Sequence, residues 1–212
     1  MVRAKICGLS TAATLDAAIA GGASHVGFVF FPKSPRDLTI ARAEELAART
    51  PAHVTRVGVF VDPDDALLER AVPAGRLGAI QLHGRETPDR VAAIKARFGV
   101  ETWKAVPVRT AADLATTGSY RGAADRIVYD AKTPDDADLP GGMGLRFDWT
   151  LLRGFAHPLP WILSGGLDAS NLAEAVAISG ATLVDVSSGV ESAPGVKNVD
   201  KIAAFLQSVD LI

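Results

Sequence analysis

The chain has 212 residues, 48% of them hydrophobic and 22% charged, with a formal net charge of -2. Such a composition builds an ordinary globular core, and the near-neutral charge excludes bulk attraction to nucleic acid or a polybasic membrane anchor. The one cysteine excludes an internal disulfide; with no secretory pattern and no apolar run of bilayer length, the expected location is the cytoplasm.

The first apolar run, AKICGL, predicts a strand closed by Cys7. In TAATLDAAIAGGA, Leu15, Ala18 and Ile19 share one helical face, and Gly21-Gly22 is the stop. HVGFVFF predicts the second strand, followed by the loop PKSPR, whose prolines stiffen the chain around Arg36. RVGVFV predicts the third strand, and DPDDALLERAV a helix opening at Asp62 and Pro63, where acidic residues suit the positive end. GAIQLHG predicts a fourth strand closing on Gln81 and His83, before the helix TPDRVAAIKARFG. ETWKAVPV predicts the fifth strand, followed by a short helix in TAADLATTG. DRIVYDAK predicts the sixth, an apolar run that ends on Asp130. A long polar loop, residues 133–146, then leads to a second short helix in FDWTLLRGF. PWILSGG, the helix DASNLAEAVAISGA and TLVDVSSG complete eight strands.

Strand and helix therefore alternate at a period of roughly 20 to 30 residues, the size of a βαβ unit. Eight such units predict an α/β fold, a closed (β/α)8 TIM barrel, as a single domain over residues 1–212. A doubly wound open sheet is the rival, but no G-x-G-x-x-G follows the first strand.

In this barrel the active site lies at the C-terminal ends of the strands. Gly165-Gly166 and Ser187-Ser188-Gly189 close the seventh and eighth strands, where glycine amides and hydroxyls suit a phosphate. Cys7 is either a small buried hydrophobe or a nucleophile or base. Alternation puts Lys5 and Cys7 on one strand face, as it does Asp185 and Ser187 on the eighth, and in a closed barrel these strands are neighbours. Lys5 is therefore expected to pair with Asp185 inside the barrel below Cys7, because neither charge is tolerated there alone. Asp130 is either a turn aspartate or, shielded at the mouth, a carboxyl group that keeps a proton to donate. Arg36 is either a solvated surface group or a fork for a carboxylate. His83 is either a turn residue or a substrate contact. No metal-ligand spacing is present.

Taken together, KICGL, GFVFFPKSPR, VGVFVDP, IQLHG, YDAK followed by GGMGLRFDW, LSGGLDASN and VDVSSGVE…PGVKN resemble the phosphoribosylanthranilate isomerase family of tryptophan biosynthesis, over essentially the whole chain. The resemblance implies a cofactor-free, metal-free barrel that performs an Amadori rearrangement. It implies Cys7 as general base, Asp130 as general acid, Arg36 as the contact to the anthranilate carboxylate, and the two Gly/Ser loops as the phosphate site. His83 and Asp185 join Arg36 as expected substrate-binding residues. Met143 and Leu145 depart from the pattern in the glycine loop, and Tyr129 stands where the family varies. The implied partner is a small phosphosugar, with neither nucleic acid nor membrane involved and a monomer or homodimer as the assembly. The competing readings are the two-phosphate isomerase of histidine biosynthesis, a non-catalytic phosphosugar-binding barrel and a thiol redox sensor.

Overall fold

The computed structural model describes residues 1–134 and 141–212. Eight parallel strands close into a barrel in sequence order: β1 (Arg3–Cys7), β2 (His25–Phe30), β3 (Thr55–Phe60), β4 (Ala79–Leu82), β5 (Glu101–Val108), β6 (Arg126–Ala131), β7 (Trp161–Leu163) and β8 (Leu183–Val186), which pairs back onto β1. Every predicted strand is present. The helices that follow are α1 (Ala12–Ala20), α2 (Ile40–Arg49), α3 (Asp65–Ala74), α4 (Pro88–Phe98), α5 (Ala111–Ala115), α6 (Leu172–Ser179) and α7 (Val199–Asp210). Among the described residues no helix is long and apolar enough to cross a membrane.

Local chemistry sets the helix ends. The Thr11, Thr39, Asp64 and Thr87 side chains each accept the amide hydrogen three residues on, a cap worth about 1 kcal/mol. Gly99 and Gly180 end α4 and α6 in the left-handed conformation. Two expectations are corrected, and one element is added. The third helix opens at Asp64, because Asp62 sits in a turn at φ 45°. The sixth helix is only a 3-10 turn, Trp149–Leu152, halted before Gly154 at φ 72°. After β8 and a 3-10 turn, Ser188–Val190, an unforeseen hairpin forms from β9 (Glu191–Ala193) and β10 (Val196–Lys197).

Alternation along each strand divides the apolar residues into two sets. Ile6, Phe28, Phe60, Ile80, Ile127 and Val184 belong to the large outer core beneath the helices. Val57, Ala79, Trp103, Ala105, Val128, Ile162 and Leu183 form a separate buried cluster from strands β3 to β8, the packing of the barrel interior. His25 meets the edge of Trp103 at 5.4 Å. The Ser24 hydroxyl donates to the Ala4 carbonyl, so its oxygen accepts from His25 Nδ1–H at 2.8 Å. Burial, reinforced by Arg3, Lys5 and Arg126, lowers the His25 pKa to about 4, so the ring is neutral.

Lys5 and Asp185 are register partners across the β1–β8 seam. Lys5 Nζ lies 3.0 Å from both carboxylate oxygens, with side chains 0% and 6% exposed. The pairing expected from strand parity is therefore present.

Candidate active site

At the C-terminal rim of the barrel lies a cavity whose lining includes Cys7, Arg36, His83, Asp130, Asp185 and Ser188. Gly165, Gly166 and Ser187 also line it. Gly189 does not: a Cβ there would lie 2.0 Å from the Leu167 carbonyl oxygen, so it packs the two Gly/Ser loops together from behind. One space thus touches a thiol, a carboxyl group, an arginine and two glycine-serine turns.

Cys7 ends β1 opposite Gly27 of β2. A Cβ on Gly27 would stand 2.8 Å from the Cys7 Sγ and 3.2 Å from Lys5 Cε. Gly27 therefore vacates the volume that these two inward side chains fill. Burial pushes the thiol above its ordinary value; Lys5 pulls it down, Asp185 pushes it up and Lys197 pulls it down, and burial prevails. The protein alone therefore holds Cys7 mainly as a thiol at neutral pH. Lys5 also loses from burial, but the charge and hydrogen bonds of Asp185, with help from Cys7, carry it above the ordinary lysine range. Both Asp185 oxygens serve Lys5, which makes Asp185 the holder of that cation as well as part of the cavity wall.

Asp130 is 5% exposed at the end of β6. Its Oδ1 accepts from the Ala131 amide at 2.9 Å, and Oδ2 lies 3.0 Å from His83 Nε2. His83 Nδ1 faces the Gln81 amide nitrogen at 3.3 Å. An amide nitrogen only donates, so in this orientation Nδ1 accepts and the ring proton sits on Nε2. A buried ion pair holds the His83 turn. Lys104 Nζ donates to the Gly84 carbonyl at 2.9 Å and pairs with Glu86 at 3.0 Å, while Glu86 accepts the Gly84 and Asp62 amides. Neither Glu86 nor Lys104 stands out in the sequence reading, although a lysine within ETWKAVPV is an anomaly that would have flagged it.

Arg36 is 6% exposed, not a solvated surface group. The loop is aimed by Ser34 Oγ, which accepts the Arg36 amide at 3.1 Å, and by Asp37, which accepts the Phe31 amide at 2.7 Å. Gly8, at φ 78°, leaves room for the Arg36 stem: a Cβ would lie 2.7 Å from Cδ. The guanidinium is also not an open fork. Nε and Nη2 donate to Glu191 at 2.7 and 2.8 Å, and Nη2 also donates to the Gly142 carbonyl at 3.0 Å. Glu191 and its second partner Lys197 come from the hairpin; both stand within VDVSSGVE…PGVKN, but the sequence assigns neither a role.

Glycines build the remaining wall. Gly165 lies against Asp130, with a Cβ there 3.0 Å from Oδ1 and 2.6 Å from the Ala131 nitrogen. Gly141 approaches the acid so closely that a Cβ would meet Oδ2 at 2.5 Å, and one on Gly142 would meet Arg36 Nη1 at 2.7 Å. The start of the GGMG segment therefore bridges the acid and the arginine, with Met143 exposed at 50% and Leu145 at 38%. Residues 135–140, the middle of the long polar loop after β6, lie outside the described residues. Among the described residues no three His, Cys, Asp or Glu side chains cluster as metal ligands.

A family model described as N-(5'phosphoribosyl)anthranilate (PRA) isomerase matches residues 4–208. The chain is 60% identical over 212 residues to N-(5'-phosphoribosyl)anthranilate isomerase of Zymomonas mobilis subsp. pomaceae, with 100% of this chain and 99% of the relative covered. Its fold is similar to that of the monomers generated from the dimeric phosphoribosylanthranilate isomerase of Thermotoga maritima, at a TM-score of 0.86 and 34% identity, with 100% of each chain covered. It is equally similar to a phosphoribosylanthranilate isomerase in complex with reduced 1-(o-carboxyphenylamino)-1-deoxyribulose 5-phosphate, at a TM-score of 0.87 and 33% identity, again with 100% of each chain covered.

Proposed function

The chain belongs to the N-(5'-phosphoribosyl)anthranilate isomerase family, and from that premise we propose how its residues divide the work. The reaction is the Amadori rearrangement of N-(5'-phosphoribosyl)anthranilate to 1-(2-carboxyphenylamino)-1-deoxyribulose 5-phosphate, a step of tryptophan biosynthesis. Asp130 is the general acid, Cys7 the general base, Arg36 the anchor for the anthranilate carboxylate, and the turns at Gly165-Gly166 and Ser187-Ser188 the phosphate anchor. His83 orients the acid, and Asp185 holds Lys5 beneath the base.

Asp130 gives a proton to the ring oxygen as the C1'–O bond breaks, and the anthranilate nitrogen lone pair closes an iminium. That cation acidifies the C2' hydrogen. Cys7 as thiolate removes it, leaving an enolamine that ketonises by protonation at C1' and loss of the hydroxyl proton. A buried thiol above its ordinary pKa is a poor base in the free protein. The iminium, forming beside it, supplies the positive charge that lowers the thiol's pKa, so that its proton leaves to solvent and the base is activated only after the acid has acted. For Asp130 to hold its proton, His83 Nε2 must accept the hydrogen bond which that proton makes, and this places the histidine's own proton on Nδ1. The Gln81 oxygen, buried without a partner among the described residues, would then turn to meet that proton. Anchors at both ends fix the sugar between the two groups, which is where most of the rate advantage of orientation arises. No step in this scheme draws on a cofactor or metal.

The observation that carries the reading is the convergence of Cys7, Asp130, Arg36 and the two Gly/Ser turns on one cavity. The proposal extends to a single-domain chain that acts in the cytoplasm as a monomer or homodimer. Loss of anthranilate-type fluorescence on adding purified protein to freshly made phosphoribosylanthranilate tests it, with Cys7→Ala and Asp130→Ala alongside. Turnover by the wild type and a fall of at least about a hundredfold in each folded variant is expected. Variants as active as the wild type would remove both assignments.

A further inference from the structure

We propose that Glu191 is a positioning residue for substrate recognition, setting which edge of Arg36 meets the substrate carboxylate. This rests on the reading of Arg36 as the carboxylate anchor. The Glu191 side chain is 5% exposed, and a carboxylate so buried must be fully partnered. Oε1 accepts from Arg36 Nε at 2.7 Å and Lys197 Nζ at 2.6 Å; Oε2 accepts from Arg36 Nη2 at 2.8 Å and the Gly195 amide at 3.2 Å. The charges of Arg36 and Lys197 hold Glu191 below the ordinary carboxylate range despite burial.

The donor inventory of Arg36 follows. A guanidinium has five N–H groups. Nε uses its hydrogen on Glu191, and Nη2 divides its pair between Glu191 and the Gly142 carbonyl. Among the described residues the two hydrogens of Nη1 are not taken up, on the edge nearest Gly142. Glu191 thus closes one edge of the fork and turns the other toward the cavity. An incoming carboxylate meets Nη1, and takes Nη2 by displacing the Gly142 carbonyl. Lys197 offsets the charge of Glu191, so Arg36, Glu191 and Lys197 together keep one positive charge for one carboxylate.

The hairpin has a purpose in this arrangement. Gly195, at φ 80°, packs so tightly on the Arg36 loop that a Cβ would lie 2.5 Å from the Pro35 carbonyl oxygen. That seat returns Lys197 to Glu191. Lys197 also donates to the Ser187 carbonyl at 2.9 Å and to its hydroxyl at 3.1 Å, and Ser187 Oγ donates to the Cys7 carbonyl at 3.3 Å. The carboxylate anchor is thereby tied to the phosphate turn and the base.

Glutamine cannot replace Glu191. Each oxygen serves one Arg36 nitrogen, so whichever way the amide turns, its NH2 faces an Arg36 donor and one bond is lost. The test compares phosphoribosylanthranilate with its carboxylate-free analogue, N-(5'-phosphoribosyl)aniline, as substrates of the wild type, Glu191→Gln and Arg36→Ala. Loss of one charge-assisted bond predicts that Glu191→Gln lowers the preference for the carboxylated substrate, read as the ratio of kcat/KM values, about tenfold. The double variant Glu191→Gln with Lys197→Met keeps the cluster at one positive charge and should lower the preference similarly, which separates orientation from charge and provides a second protein should the single variant not fold. Parallel losses on both substrates in these variants, leaving the preference unchanged, would mean a merely structural role and overturn the proposal. If Arg36→Ala itself left the preference unchanged, the anchor reading would fall and this inference with it; if Arg36→Ala lowered it and the Glu191 variants did not, only the inference would fall.

Discussion

Lys5 and Asp185 face each other on adjoining strands inside the barrel, with the ammonium 3.0 Å from both carboxylate oxygens and solvent nearly excluded. Removing one partner strands the other charge in a medium that cannot solvate it. Lys5→Met alone should therefore cost about 3–5 kcal/mol in denaturant unfolding. Lys5→Met with Asp185→Leu should recover most of that loss, because the pair's own attraction is largely offset by its desolvation. Equal stability losses in the single and double variants would contradict this account.

Because Cys7 is the only cysteine, its titration can be read directly. Burial raises its pKa, so at a given pH less thiolate is present than for a free thiol. The rate of alkylation by iodoacetamide, followed against pH, should have its midpoint above the free-thiol value of about 8.5. Lys197→Met removes one of the cations that oppose burial and should move the midpoint further up. A wild-type midpoint below that of a free thiol would show that the lysines outweigh burial.

His25 is neutral in the fold because burial holds its pKa at about 4, against about 6.5 in an unfolded chain. Between these values the unfolded chain binds more protons, so stability falls as pH drops from 6.5 to 4 and is unaffected above 6.5. The depressed pKa corresponds to about 3 kcal/mol lost across that window. In urea titrations at several pH values, His25→Asn should lack this part of the acid limb. An unchanged limb in the variant would assign it to other groups.

Gly27 faces Cys7 so closely that a methyl group would stand 2.8 Å from Sγ and 3.0 Å from Cα. Gly27→Ala should therefore displace the base, with overpacking costing about 1–3 kcal/mol of stability. A fall in kcat with little change in KM is expected, since both anchors lie elsewhere on the rim. Wild-type kcat in a folded Gly27→Ala protein would show that Cys7 tolerates the shift.

The barrel and the rim could be read from the chain because both are written in local periodicity. Eight β-branched runs separated by capped amphipathic segments admit few folds, and the residues that close those runs must lie at one end. Strand parity went further: a two-residue period on two runs that must be neighbours in a closed barrel placed Lys5 opposite Asp185 from 180 residues away. Three things were settled only in three dimensions. The predicted helix in FDWTLLRGF is only a 3-10 turn, Trp149–Leu152, because the space left by neighbouring elements, not local spacing, sets how far it extends. Arg36 meets Glu191 across 155 residues of chain, from a loop to a separate hairpin, and no shared period relates their side-chain directions. The protonation of Cys7 is a balance of burial and Asp185 against Lys5 and Lys197, and that sum depends on distances and solvent exclusion that a linear sequence does not contain.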